Sequence, residues 1–306
     1  MPQSRFKNLL SFFSVMLLAS CSKSVIGPVV PPTESKGTSY VMDATDLRVA
    51  RSNEFYVLWL RATGDSLFKK AAVLSLDPHK LHNDDQIQLL GSVATKDSLI
   101  VIEEAAVSVE FDTSSIRPTS ILLRGTNLSV GHFDLEAFRQ GAVADLRSVS
   151  GSAVFLSSTS DTNRAHHEFY LMSVSGTATK PSLSVLPNLN HGWHYAAWYT
   201  DSSYYPAHRF FYGAFLNASG HDSDSSRDGY DYPGGYEPPA LAGGTGKLEI
   251  TIEPDFQLPS LAKLGPSPFP FLEGSLPKYI YNGTAIVLTN VSSRGLPRAN
   301  LVLTQQ

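Results

Sequence analysis

The residues best suited to chemistry lie in one loop, HDSDSSRDGYDYPGGYE at 221–237. Asp222, Asp224 and Asp228, with Ser226, offer oxygens at alternating positions, as calcium loops do. With Asp222 as the first position, the sixth is Arg227 rather than Gly and the twelfth is Pro233 rather than Glu, so the loop is not an EF-hand. A solvated polar turn uses the same residue types. Histidines gather at His166, His167, His191, His194, His208 and His221, which keeps zinc or copper open beside the plainer reading of half-exposed strand and turn histidines. Glu103, Glu104, Glu110, Glu249 and Glu253 are carboxylates that in principle pair for glycoside hydrolysis, but their placement on alternating strands reads as the solvent face of a sheet. There is no Gly-x-Ser-x-Gly elbow, no Ser-x-x-Lys with Lys-Thr-Gly, and no His-Glu-x-x-His. Gly243-Gly244-Thr245-Gly246-Lys247 leads into a strand, whereas a phosphate loop feeds a helix. The chain therefore reads as a non-enzyme with no bound cofactor. Tyr204, Tyr205, Tyr230, Tyr232 and Tyr236, set among Asp and Gly, are the candidate surface for a protein partner or a glycan.

The chain that positions these residues has 306 residues, 42% hydrophobic and 17% charged, with a formal net charge of −4. That apolar fraction excludes a disordered chain. The acidic balance argues against a nucleic-acid partner, which demands clustered Lys and Arg. A single cysteine excludes a disulfide framework and a Cys-based structural zinc site. That cysteine, Cys21, follows Leu18-Ala19-Ser20. Ahead of it stand Arg5, Lys7 and an apolar run from Leu9 to Ala19, too short for a bilayer span and the length of a signal-peptide core. The arrangement resembles the lipobox of bacterial lipoproteins. That resemblance implies a signal peptide at 1–20, fatty-acyl chains such as palmitate on Cys21, and a lipid-anchored envelope protein. With Ser22 rather than Asp after the cysteine, the same resemblance implies the outer membrane. The stretch 21–38, with Pro28, Pro31 and Pro32, reads as a flexible tether.

From Ser39 onward short runs rich in Val, Ile, Leu, Phe and Tyr alternate with turn residues, which predicts an all-β body. Expected strands include 55–60, 98–104, 106–111, 120–125, 152–158, 168–174, 247–254 and 284–291. Leu135–Arg147 is the one helical candidate, weakened by Gly141. A unit recurs. Aromatic strands EFYVLWLR (54–61) and WHYAAWYT (193–200) are each followed by an apolar run. A Glu-bearing strand, a Pro loop and a closing strand that ends in Gly come next. Two tandem β-sandwich, immunoglobulin-like domains are expected, at 39–130 and 131–306. Tyr56-Val57-Leu58-Trp59-Leu60, Val107-Ser108-Val109-Glu110 and Pro118-Thr119-Ser120-Ile121-Leu122-Leu123 resemble the extracytoplasmic domain of anti-sigma-K factors. The second copy is similar to a related envelope form through Gly192-Trp193-His194-Tyr195 and Ile252-Glu253-Pro254. The resemblance implies a sensory or interaction sandwich. It does not carry sigma-factor binding, because the cytoplasmic helical domain and membrane helix of that family are replaced here by the lipobox.

Overall fold

The computed structural model describes residues 37–76, 86–93, 95, 97–157, 167–170, 172–175, 178–183, 186–202, 207–217, 246–260, 265–277 and 283–305. Seven strands come first: β1 (Thr38–Thr45), β2 (Phe55–Ala62), β3 (Lys69–Leu74), β4 (Gln86–Val93), β5 (Ile102–Glu110), β6 (Ser120–Ser129) and β7 (His132–Glu136). Nine more follow: β8 (Gly151–Ser157), β9 (His167–Tyr170), β10 (Met172–Ser175), β11 (Ala178–Pro181), β12 (Trp193–Asp201), β13 (His208–Phe215), β14 (Gly246–Pro254), β15 (Pro270–Ser275) and β16 (Thr284–Asn290). The last strand, β17 (Arg298–Gln305), returns to the beginning of the chain and pairs with both β1 and β7. One antiparallel sheet thus has the order β3-β2-β5-β6-β7-β17-β1-β4 and the other β13-β12-β14-β15-β16-β8-β9, with β10-β11 a separate hairpin.

The expected all-β, sandwich-like class is the observed one, built from two antiparallel sheets. The sheets do not divide at residue 130, however. β7 and β17 lie beyond that point and belong to the first sheet. The reason is visible in β17, where Ala299, Leu301 and Leu303 alternate into the core and fill the gap between β7 and β1.

The helical candidate at 135–147 is corrected. β7 ends at Glu136 and irregular turns follow, with Gly141 at φ +83°. Ala137, Ala142, Val143 and Leu146 are buried. Asn190 closes this loop from outside, its side-chain amide donating to the carbonyls of Ala142 (2.6 Å) and Val143 (3.1 Å). Two expected strands at 98–104 and 106–111 are one, β5, preceded by a single 3-10 turn at Leu99–Val101. The expected strand at 168–174 is two, β9 and β10.

The internal repeat is reproduced in the strand order. β3-β2-β5-β6 in the first sheet matches β13-β12-β14-β15 in the second. Their irregularities match too. The register shifts immediately before Trp59 in β2 and immediately before Trp198 in β12. It shifts again immediately before Ser108 in β5 and Thr251 in β14. A bulge adds local twist and re-aims side chains, so its recurrence marks a shared design. Tyr56 and Tyr195 stand at equivalent positions, and each hydroxyl donates to the carbonyl eight residues upstream, Arg48 (2.9 Å) and Pro187 (2.7 Å).

Within Lys36–Gln306, which forms one compact unit, a single hydrophobic cluster runs through both sheets. Leu58, Val107, Phe133 and Leu301 contribute from the first, and Tyr195, Ile250, Phe271 and Leu288 from the second. Tyr195 packs against Phe215 and Phe271, with ring centroids 5.4 Å apart in both pairs. The expected placement of Leu248, Ile250 and Ile252 on one face of β14 holds, and that face is the core.

Candidate functional site

Three of the sequence candidates fall outside the described residues: Cys21, the calcium candidates Asp222, Asp224 and Asp228, and the aromatic surface of Tyr204, Tyr205, Tyr230, Tyr232 and Tyr236. Of the histidines, His194 is described with its partner, its Nδ1 meeting Asp255 Oδ1 in a short contact. Among the described residues there is no group of three or more His, Cys, Asp or Glu that could hold a metal. The aromatic strand at 193–200 is core, with Trp193, Tyr195, Trp198 and Tyr199 all buried.

The glutamates require a correction. Glu103 is exposed, but Glu104, Glu110, Glu249 and Glu253 are buried, Glu110 and Glu253 fully so. They do not form a solvent face. On β2 and β12 the residues opposite the main core are themselves apolar. Val57 and Trp59 form a small cluster with Ala106, covered by Phe68 and Ile121. Ala196 and Trp198 form its counterpart under Phe211. A carboxylate on that face must therefore find donors within the protein.

It finds them in the same way twice. In the first sheet the Trp59 indole N–H donates to Ser108 Oγ (2.7 Å) and the Ser108 hydroxyl donates to Glu110 in a short contact. Glu110 also accepts the Thr119 N–H (2.9 Å) and hydroxyl (2.7 Å). In the second sheet the Trp198 indole donates to Thr251 Oγ1 (3.0 Å), whose hydroxyl donates to Glu253 (2.6 Å). Glu253 also accepts the Ser267 N–H (2.8 Å). Each is an indole–hydroxyl–carboxylate chain that ties an aromatic strand to a Glu strand and then to the Pro loop behind it. Trp59→Phe and Trp198→Phe each delete one donor from a buried chain and are expected to cost about 1–3 kcal/mol. Urea unfolding measures this, and equivalence of the two copies predicts losses of similar size.

The copies differ in one respect. Glu253 meets a cation, the Arg51 guanidinium, at 2.9 Å. Arg51 lies in the turn before β2 and also binds Glu54 (2.6 Å) and donates to the Gly265 carbonyl (2.8 Å). Burial raises the Glu253 pKa, and the nearby Arg51 charge opposes that rise. The reciprocal contact comes from the turn before β12. Ser120 Oγ–H donates to the Gly192 carbonyl (2.8 Å), and the Trp193 indole donates to the Ile121 carbonyl (3.0 Å). So the turn entering one aromatic strand docks on the Pro loop of the other copy, and the turn entering the second docks on the start of the strand that follows the first copy's Pro loop.

One open feature beside the first sheet is a polar cleft of about 770 Å³. Its walls include Glu104, Arg124, Glu136, Arg139, Gln140 and Asn190. Arg61 (3.0 Å) and Arg124 (2.7 Å) both pair with Glu104, and both guanidinium groups lie over the Phe68 ring, at 5.9 and 5.5 Å. Arg139 reaches Glu136 only at 3.4 Å. Alternating fixed charges of this kind suit a polar or zwitterionic ligand. Arg51 and the burial of the glutamates were missed by sequence reasoning. The available signal was the hydroxyl-x-Glu spacing, Ser108 to Glu110 and Thr251 to Glu253, on strands beside a Trp whose own face is apolar.

No family model matches the chain, and neither a curated protein nor a solved structure matches it. The resemblance to anti-sigma-K factors therefore rests on the quoted residues alone.

Proposed function

We propose that the protein is a non-catalytic, lipid-anchored component of the bacterial cell envelope, in the outer membrane, whose β-sandwich body binds or supports a partner there. The carrying observation is the sole cysteine, Cys21, placed directly after Leu18-Ala19-Ser20 at the end of a signal-like apolar run. Acyl chains on one residue anchor a protein stably when two or more are present, at about 0.8 kcal/mol per buried CH₂. Support from the body is indirect. The buried glutamates are occupied by hydroxyls, amides and guanidinium groups that join strands, which is a structural use of carboxylates. Within the described residues the cleft beside Arg124 and Arg139 is the surface this reading assigns to a ligand, an envelope protein or a glycan.

The test is metabolic labelling of the full chain with an alkyne fatty acid, followed by membrane fractionation. The wild type is expected to label and to sediment with the outer membrane. Cys21→Ala is expected to lose the label and appear in the soluble fraction. An unlabelled wild type, or a Cys21→Ala protein that stays in the membrane fraction, overturns the anchor.

A further inference from the structure

One end of the first sheet carries an aliphatic tip. Leu67 in the β2–β3 connection, Ile100 and Val101 in the 3-10 turn, and Leu128 and Val130 at the β6–β7 hairpin are between 41% and 76% exposed. One backbone and one side-chain hydrogen bond hold these segments together. The Thr63 N–H donates to the Val101 carbonyl (2.7 Å), and Asn127 Nδ2 donates to the Ile102 carbonyl (3.0 Å). A single exposed aliphatic residue is ordinary, but five on three adjoining turns make a patch that calls for an occupant.

The chain itself indicates which occupant. The Leu303 N–H donates to the carbonyl of Gly131 in the same hairpin, so the C-terminal end of β17 lies at the tip. Thr38, the first residue of β1, pairs with Gln305 at that end. The polypeptide that leads back to Cys21 therefore enters the body at the tip. Ser22–Thr38 spans at most about 60 Å when fully extended, so chain connectivity keeps the tip, where that segment joins the body, within this reach of Cys21. The ion pairs beside it leave no cationic excess, with Lys69 bridging Asp65 (2.9 Å) and Asp97 (3.3 Å). We propose that this tip seats in the lipid–water interface of the membrane that holds the anchor, with Leu67, Ile100, Val101, Leu128 and Val130 as the inserting side chains. The proposal rests on the lipid-anchor reading. Aliphatic insertion without a basic rim needs no anionic lipid.

The test uses the full lipidated chain in phosphatidylcholine vesicles, with Leu128→Cys carrying a polarity-sensitive fluorophore. Acylated Cys21 has no free thiol, so the introduced cysteine takes the label. A second protein carries the label at Ile116→Cys, an exposed site beyond the opposite end of β5. The expected result is a blue shift and quenching by a nitroxide near the headgroup end of the acyl chains for the label at 128, with neither at 116. Adding Ile100→Asp and Val130→Asp is expected to abolish the shift while the protein still floats with vesicles. Protein that floats but leaves the label at 128 in water overturns the tip proposal and spares the anchor. Protein that does not float overturns both. A blue shift already present without vesicles, rising with protein concentration, assigns the patch to a second copy and overturns the lipid assignment.

Discussion

Replacing Arg51 by Ala is expected to destabilise the folded body by about 3–5 kcal/mol, the usual result of removing one partner from a buried ion pair. Arg51 is the one cation at ion-pair distance of Glu253 among the described residues, and Glu253 is fully buried. It also holds Glu54, and through Gly265 it fixes the Pro loop of the second copy. For a body of this size each kcal/mol moves the melting temperature by about 2–4 °C, so a fall on the order of 10 °C is expected. The second change Glu253→Gln removes the stranded charge, and the double variant is expected to recover part of the loss. Equal losses in Arg51→Ala and in the double variant would show that the ion pair is not the source.

The same site gives the sign of a pH effect. Burial raises the folded-state pKa of Glu253 above its unfolded value, so protonation favours the folded state. Its contribution is fully present below the unfolded pKa and is lost as pH rises through the folded pKa. In the wild type Arg51 opposes the rise and keeps that window narrow. In Arg51→Ala the opposition is gone, so the window widens toward higher pH. The variant's deficit is therefore expected to be smallest in mild acid and to grow toward neutrality. Unfolding free energies of both proteins across that range check it, and a deficit independent of pH would assign the loss to Glu54 and Gly265 instead.

The strands were legible because burial of one face writes itself as alternation. Leu248, Ile250 and Ile252 announce β14, and Tyr56 to Leu60 announce β2. The repeat was legible as well, since Trp, hydroxyl, Glu and Pro recur in order. The buried state of the glutamates was not legible. Alternation separates two faces without saying that the second is covered, and here Phe68, Ile121 and Phe211 cover it. β17 was not legible as a member of the first sheet, because a pairing between residues 38 and 305 leaves no local pattern. The loop at 135–147 misled for the opposite reason. Its apolar residues are buried as they would be in a helix, but they reach the core through turns at Gly141. The chemistry-bearing loop at 221–237 lies outside the described residues, so the site now rests on groups that sequence had assigned to solvent.

The second large effect is expected at Gly192. Its φ is +96°, and an added Cβ would stand 2.1 Å from the Thr119 carbonyl oxygen. Two costs follow for Gly192→Ala: about 1–3 kcal/mol for a non-glycine residue in a disfavoured backbone region, and about 1–3 kcal/mol more for overpacking. They can be separated. Gly64 and Gly283 have φ of +84° and +85°, and an added Cβ meets nothing within 4 Å at either. Gly64→Ala and Gly283→Ala therefore report the backbone cost alone, one for each sheet. The excess loss in Gly192→Ala is the cost of pushing Thr119 away. Thr119 is also the residue whose N–H and hydroxyl hold Glu110, and Ser120 beside it holds the Gly192 carbonyl. A displaced Thr119 thus loosens the carboxylate of one copy through a methyl group placed in the other. The expected result is that Gly192→Ala and Trp59→Phe are non-additive, since both weaken the chain that ends on Glu110. Additive losses would mean that the docking turn and the indole–hydroxyl–carboxylate chain stabilise the fold independently, and that the reciprocal contact joins two sheets without coupling their buried charges.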